Sequence, residues 1–316
     1  MSAFYIPPNG VYFRLVGQDS QRVLFSRTHA QPEVGNIAAA SKYSDQLFTL
    51  IPGTGARSGE YMIQGKNTQK VLISRSAGNP TVGHIDRNPD VERDDTWFKL
   101  EPGTDKAAQT FRLLCSSTNT VLLSGVGANP VYNEPGPPSA IQSRHYFSFL
   151  FEDIKDLRVD NLEFHVELSK ITWSTPVTIQ SKTLSNSSDE EKEMTFKVYE
   201  RTLHKGRFKY GTGFTLADGT VVGGPKPDIA EGAVILDPAI DGWIIGQEVT
   251  YNKWFHKSYP VKLGPRATVN AVASVKRGDL EVPYTIYLTS DSAGVTVESR
   301  GTWYGFATGD LSVSTV

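Results

Sequence analysis

Apolar residues along this chain come in short runs that are separated by turn sequences. Val23-Leu24-Phe25, Val71-Leu72-Ile73 and Val121-Leu122-Leu123 are typical runs, and Pro52-Gly53 and Pro102-Gly103 are typical turns. β-Branched and aromatic residues favour strands, whereas Gly and Pro interrupt them. Long segments with the 3.6-residue period of a helix are hard to find. The pattern therefore predicts an all-β chain.

Residues 1–150 contain three repeats of about 50 residues. Each repeat has a Val-Leu motif, and the prolines that follow it, Pro32, Pro80 and Pro130, are spaced 48 and 50 residues apart. Each repeat then closes on an aromatic-rich run, which contains in turn Phe48, Phe98 and Phe147. With room for about four short strands per repeat, the sequence predicts a β-trefoil, since a WD-type propeller needs more than three blades. We expect the three closing phenylalanines in its core.

The character of the chain changes after Phe149-Leu150-Phe151-Glu152-Asp153. Residues 154–316 show long polar/apolar alternation without the 50-residue repeat. The sequence therefore predicts two domains, a β-trefoil over 1–153 and an antiparallel β module over 154–316.

Two segments of the second domain, 207–217 and 230–241, alternate so that one face of each strand is apolar. The apolar positions are Phe208, Tyr210, Phe214, Leu216, Val234, Leu236 and Ile240. Both segments reach the roughly 9–11 residues of a membrane-crossing strand, and residues 223–228 are the expected tip of the hairpin between them. An ordinary half-buried antiparallel pair shows the same alternation. Pro238 and Asp218 fit a crossing strand poorly.

Composition excludes several classes of protein. With 32 basic and 34 acidic side chains among 316 residues, the net charge is −2, so we expect no nucleic-acid partner. No apolar run reaches the 18 residues of a membrane helix, and the N-terminus lacks a signal peptide. We therefore expect cytoplasmic synthesis without a classical secretion signal. The single Cys115 cannot form an internal disulfide, and we expect it to be buried.

Catalytic motifs are missing from the sequence. The six histidines show no metal-ligand spacing, and there is no nucleophile elbow, phosphate-binding loop or dinucleotide fingerprint. The sequence therefore predicts a protein that is not an enzyme and that needs no cofactor or metal.

Polar residues recur at matching positions of the repeats. The first repeat offers Arg27, His29, Gly35, Asn36, Tyr43 and Asp45. The second offers Arg75, Gly83, His84 and Asp95, with Arg93 in the place of Tyr43. Charged groups that clamp hydroxyls and an aromatic face for the ring C–H groups suit a sugar. The alternative is that Arg27–Asp45 and Arg75–Asp95 are structural ion pairs. The third repeat has Gly125 in the place of the arginine and Arg144 in the place of the aspartate, and we expect it not to bind sugar.

Several motifs in a consistent order resemble the haemolytic mushroom lectins of the aerolysin-type β-pore-forming toxins. They are Tyr5-Ile6-Pro7-Pro8, Val11-Tyr12-Phe13-Arg14-Leu15, Trp97-Phe98-Lys99, Ser174-Thr175-Pro176, Gln180-Ser181-Lys182-Thr183-Leu184, Gly264-Pro265 and Gly301-Thr302-Trp303. The resemblance covers essentially the whole chain. It implies a trefoil lectin for galactose-type glycans and an elongated module that forms a homo-oligomer and inserts a β-hairpin into a target cell membrane outside the producing cell.

Three functions follow from these observations. The leading hypothesis is a galactoside-binding lectin that forms membrane pores, with the first repeat as the stronger sugar site. The second is a non-lytic haemagglutinating or storage lectin of the same architecture. The third, a glycoside-directed enzyme with a sugar-binding trefoil, lacks an acid/base pair in the second domain.

Overall fold

The computed structural model describes residues 4–88, 93–104, 107, 109–127, 129–136, 142–152, 154, 156–291 and 294–316, without the side chains of 239–241. The chain forms two compact units. The N-terminal unit comprises Met1–Arg158, Thr212–Phe214 and Leu288–Glu298, and the C-terminal unit comprises Val159–Gly211, Thr215–Tyr287 and Ser299–Val316. The sequence-based boundary between 153 and 154 stays a prediction. Within the described residues, no helix is long and apolar enough to span a membrane.

Within the described part of the three repeats there are twelve short strands, four in each repeat. The first repeat holds β1 (Phe13–Gly17), β2 (Val23–Ser26), β3 (Val34–Ile37) and β4 (Phe48–Pro52). The second holds β5 (Tyr61–Gly65), β6 (Lys70–Ser74), β7 (Val82–Asp86) and β8 (Phe98–Pro102). The third holds β9 (Phe111–Cys115), β10 (Thr120–Leu123), β11 (Tyr132–Pro135) and β12 (Tyr146–Phe151).

The pairing of these strands is that of the predicted β-trefoil. β1, β4, β5, β8, β9 and β12 pair antiparallel in a closed ring. β2–β3, β6–β7 and β10–β11 form one hairpin per repeat. Phe48, Phe98 and Phe147 are each 0% exposed in the core, as predicted. Cys115 is also buried, with a free thiol.

Much longer strands form most of the C-terminal unit. They are β13 (Leu157–Phe164), β14 (Lys170–Trp173), β15 (Val177–Ser185), β16 (Lys192–Gly213), β17 (Val221–Ala230), β18 (Ala233–Ile244), β19 (Val249–Leu263), β20 (Thr268–Ser290) and β21 (Val295–Thr315). A seven-stranded sheet runs in the order β13-β20-β21-β16-β19, with β14 and β15 also paired to β20. β17 and β18 form a separate hairpin. The predicted all-β fold class is confirmed.

The hairpin of 207–217 with 230–241, predicted for membrane insertion, is not the pairing of this structure. β16 pairs with β19, and β17 pairs with β18. The turn of the β17–β18 hairpin is Glu231-Gly232, whose φ values of 51° and 76° suit a two-residue hairpin loop. Residues 223–228 lie inside β17 instead, and the register shifts on both sides of Gly224. A Cβ at Gly224 would lie 2.8 Å from a Leu162 methyl, so this glycine serves a close contact rather than a turn.

Candidate functional site

One pocket of the N-terminal unit collects most residues predicted for the first repeat. It has a volume of about 430 Å³, and Arg27, His29, Tyr43 and Asp45 line it. Arg27 and His29 follow the end of β2, and Asp45 lies in the 3-10 turn Ser44–Gln46 just before β4. The other lining residues are Phe25, Ile37, Lys42, Ser44, Gln46 and Asn67.

The Arg27 side chain is fixed at one edge of its guanidinium group. The guanidinium carbon lies 4.3 Å from the centre of the Phe25 ring, and Nε donates to the Pro32 carbonyl at 3.2 Å. Among the described residues, neither Arg27 nor Asp45 has an ionic partner. The ion-pair alternative is therefore wrong for the first repeat. The Arg27 Nη groups and the Asp45 carboxylate are left for a ligand, beside a Tyr43 side chain that is 46% exposed.

Gly35 and Asn36 do not line the pocket, contrary to prediction. Asn36 is 1% exposed, and its Nδ2 donates to Ser124 Oγ at 3.0 Å. Gly35 pairs with Phe25 across the β2–β3 hairpin, and a Cβ there would lie 2.7 Å from the Phe25 ring. Gly35 therefore serves the site indirectly, since it leaves room for the ring that supports Arg27.

The second repeat has closed its corresponding site with ion pairs. Arg75 Nε donates to Asp95 Oδ2 at 2.7 Å, and Arg93 Nε lies 3.7 Å from Asp95 Oδ1. The ion-pair alternative is therefore correct for Arg75–Asp95. Gly83 pairs with Ile73 across the β6–β7 hairpin, as Gly35 does with Phe25.

His84 belongs to the trefoil interior rather than to a sugar site. Its side chain is 0% exposed, with Nδ1 at 2.6 Å from Ser26 Oγ and Nε2 at 3.2 Å from a Glu33 carboxylate oxygen. Burial lowers the pKa of His84, and the Glu33 carboxylate only partly offsets this. A fully buried imidazole presents no exposed group to a ligand, so the prediction for His84 is wrong.

A threefold set of hydrogen bonds explains the serine in each repeat, and the sequence analysis missed it. The pairs are Asn36 with Ser124, His84 with Ser26, and Asn133 with Ser74, at 3.0, 2.6 and 2.8 Å. Each pair joins one repeat to another. The signal lay in the sequence, because Asn36, His84 and Asn133 are spaced 48 and 49 residues apart, close to the period of the repeats. These bonds stabilise the trefoil and are not a binding site.

The N-terminal half of the chain has a solved relative. A β-trefoil named BEL, solved in an apo crystal form, is 35% identical; the match covers 48% of this chain and 100% of that chain, with a TM-score of 0.43. The N-terminal half of the chain belongs to the BEL β-trefoil family. No protein-family model and no curated protein matches the chain.

Two further solved structures are similar to the chain at low identity. A lectin of Polyporus squamosus is 11% identical, covering 49% of this chain and 51% of its own, with a TM-score of 0.37. The parasporin-2 toxin of Bacillus thuringiensis, described as recognising cancer cells, is 12% identical, covering 54% of this chain and 81% of its own, with a TM-score of 0.31.

The third repeat of this BEL-family trefoil lacks the polar pair of the first. Gly125 stands in the place of Arg27, and Arg144 stands in the place of Asp45. Arg144 Nη2 donates to Glu134 Oε1 at 2.7 Å, so its charge is already paired within the protein. The silence of this repeat stays a prediction.

The residues predicted to face a membrane do not share one face in this structure. Phe208 packs against Trp243 and Tyr284, with ring centres 5.7 and 4.7 Å apart. Phe214 and Val234 are buried, Leu216 is half-buried, and Tyr210 and Leu236 are 48% and 39% exposed. The Ile240 side chain lies outside the described residues.

A buried polar cluster of the C-terminal unit holds the β17–β18 hairpin against the sheet. Asp228 of β17 is 4% exposed, and its Oδ2 lies 2.7 Å from Lys253 Nζ of β19. Its Oδ1 lies 3.8 Å from Nδ1 of His204 on β16. Tyr251 Oη donates to the Pro227 carbonyl at 2.9 Å. Because these groups come from three different strands, the hairpin is fixed by charge and hydrogen bonding as well as by packing.

His204 is neutral in this cluster, and its hydrogen bonds show why. The Thr308 backbone N–H donates to His204 Nε2 at 3.0 Å, so Nε2 is an acceptor and cannot carry a proton there. Burial lowers the pKa of His204 to about 4. Asp228 raises that pKa, whereas Lys253 and Lys226 lower it further.

Proposed function

We propose that the N-terminal unit is a lectin domain and that its first-repeat pocket binds a galactoside. The observation that carries the proposal is one pocket in which Arg27 and Asp45 have no ionic partner among the described residues and Tyr43 is exposed. Asp45 accepts hydrogen bonds from sugar hydroxyls, the Arg27 Nη groups donate to ring and hydroxyl oxygens, and the Tyr43 ring covers the apolar C–H face. The resemblance to galactose-binding lectins supports the choice of sugar.

Replacing Tyr43 tests the sugar site. We expect Tyr43→Ala to weaken lactose binding about tenfold, because it removes the aromatic face while leaving a surface position. Isothermal titration calorimetry measures the affinity. Tyr132→Ala is the matched control, since Tyr132 of the third repeat is 49% exposed against 46% for Tyr43. Equal affinities of the two variants would contradict the assignment.

We further propose that the C-terminal unit forms a homo-oligomer on glycan-bearing membranes and inserts a strand hairpin to make a pore. The sequence resemblance to aerolysin-type toxins supports this. The topology also fits: β16 and β19 are paired neighbours, and residues 214–248, which join them, include the separate β17–β18 hairpin. Extension of the β16–β19 pair into this connection would produce one long hairpin.

The second candidate function is a non-lytic lectin, which agglutinates cells or serves as storage. It shares the sugar pocket, so sugar binding does not separate the two. Release of a dye from lipid vesicles that carry lactosyl lipids separates them, because only a pore former empties the vesicles. In either case we propose a protein without enzymatic activity that acts outside the producing cell.

A further inference from the structure

The first-repeat pocket carries more positive than negative charge. Arg27, Lys42 and His29 line it, and Asp45 is its carboxylate among the described lining residues. Lys42 Nζ lies 5.0 Å from the centre of the Tyr43 ring, and it has no carboxylate partner among the residues that the structure describes. Counting Arg27 and Lys42 alone, two cations therefore face one anion.

A neutral sugar would leave this excess charge unused. The hydroxyls of such a sugar would bond to the Asp45 carboxylate and to one donor of Arg27, whereas Lys42 would have no anion to bind. The Arg27 guanidinium is already held by Phe25 and by the Pro32 carbonyl, so its Nη groups are preorganised. Such a planar fork matches a carboxylate or sulfate, and a lysine adds a point charge beside it.

The second repeat shows how cations of this loop are paired when no charge is left over. There Arg75 and Arg93 both lie near Asp95, so their charges are used within the protein. The first repeat has the same loop and the same kind of 3-10 turn but leaves Arg27 and Lys42 without carboxylate partners. The difference points to a ligand that supplies the missing negative charge.

We propose that this pocket selects galactosides that carry an anionic group, a sulfate ester or a carboxylate, next to Arg27 and Lys42. Asp45 and Tyr43 hold the galactose ring, and the two cations bind the anionic substituent. The inference rests on the proposed sugar-binding function and adds the class of ligand.

Calorimetry with three probes tests the inference: lactose, 3′-sulfolactose and 3′-sialyllactose. We expect at least one anionic probe to bind about tenfold more tightly than lactose, as one added charge-assisted contact would give. Lys42→Gln should cut that preference, measured as the ratio of anionic-probe affinity to lactose affinity in the same variant, by about threefold or more. Lys66→Gln is the control, because Lys66 lies outside the pocket and pairs with Glu152. The preference should also fall as salt is raised.

Each outcome decides something. Preference for the sulfated probe alone, or for the sialylated probe alone, supports the inference and identifies the source of the anion. If lactose binds and neither anionic probe binds more tightly, the inference is overturned while the proposed lectin function stands. If Lys42→Gln and Lys66→Gln keep the same preference, the role of Lys42 is overturned. If none of the three probes binds, the galactoside proposal fails as well.

Discussion

The aromatic ring of Phe25 is one difference between the first-repeat pocket and the closed site of the second repeat. Phe25 holds the Arg27 guanidinium 4.3 Å above its ring. The second repeat has Ile73 at the matching position, paired with Gly83 as Phe25 is with Gly35. Ile73 offers Arg75 no ring, and Arg75 bonds Asp95 instead. Stacking on an aromatic ring therefore competes with the ion pair for the arginine.

Phe25→Ile should allow Arg27 to form the ion pair with Asp45 that Arg75 forms with Asp95 in the second repeat. We expect Arg27 to turn to Asp45 and lactose affinity to fall about tenfold, since both polar groups are then occupied. The change also costs about 1–3 kcal/mol of folding free energy, because Phe25 is a core residue. Calorimetry gives the affinity, and a crystal structure of the variant gives the Arg27–Asp45 distance. Ile73→Val, a comparable truncation in the second repeat, should keep the affinity. A folded Phe25→Ile variant that binds lactose normally would refute the competition.

At the scale of elements, the trefoil could be predicted from sequence because the same pattern of strands and turns occurs three times. The spacing of Phe48, Phe98 and Phe147 gave the strand groups and the core. The β17–β18 hairpin could not be predicted from sequence, since Gly and Pro at 223–225 are compatible with a turn and with an irregular strand. The choice depends on Leu162, which is far away in sequence and packs against Gly224. The predictions that Asn36 and His84 contact sugar were wrong for a similar reason: their hydrogen-bond partners are serines of other repeats, which lie far away in sequence.

The cluster beneath the β17–β18 hairpin should make the protein less stable in acid. Folded His204 stays neutral down to about pH 4, whereas an ordinary histidine of the unfolded chain takes up a proton near pH 6.5. The unfolded state therefore binds more protons in this range, so stability is full above pH 6.5 and falls as the pH drops towards 4. Besides Asp228, Lys253 and Lys226, the Tyr251 ring faces the imidazole at 5.4 Å.

Replacement of His204 by glutamine should remove this part of the pH dependence. We expect the free energy of unfolding of the wild type to drop between pH 7 and pH 4.5 by on the order of 1–3 kcal/mol more than that of His204→Gln. Urea unfolding at both pH values measures it. His84, whose pKa burial also lowers, contributes equally to both proteins and cancels in the difference. Identical slopes for the two proteins would show that His204 is not the responsible group.

At the scale of the whole molecule, the sugar pocket and the long strands act in sequence if the chain is a pore former. The proposed glycan binding by the N-terminal unit would concentrate chains on a membrane and raise their effective concentration. Strands from several chains must then pair with one another, because a lone hairpin would leave unpaired N–H and C=O groups in hydrocarbon. Membrane-bound protein should accordingly migrate as a large assembly after mild detergent extraction.

Two neighbouring residues of β18 test whether this hairpin enters the membrane. Leu236 lies on the face predicted to meet lipid and Ile235 on the opposite face, yet they are 39% and 40% exposed in this fold. An aspartate at either position should therefore disturb the folded protein equally little. On the lipid face, a charge at mid-bilayer costs roughly 2–4 kcal/mol for basic residues and somewhat less for Asp. We expect Leu236→Asp to abolish dye release from lactosyl-lipid vesicles and Ile235→Asp to retain it, with lactose affinity unchanged in both. Equal release by the two variants would refute the insertion of this face, and a wild type that releases no dye would favour the non-lytic lectin.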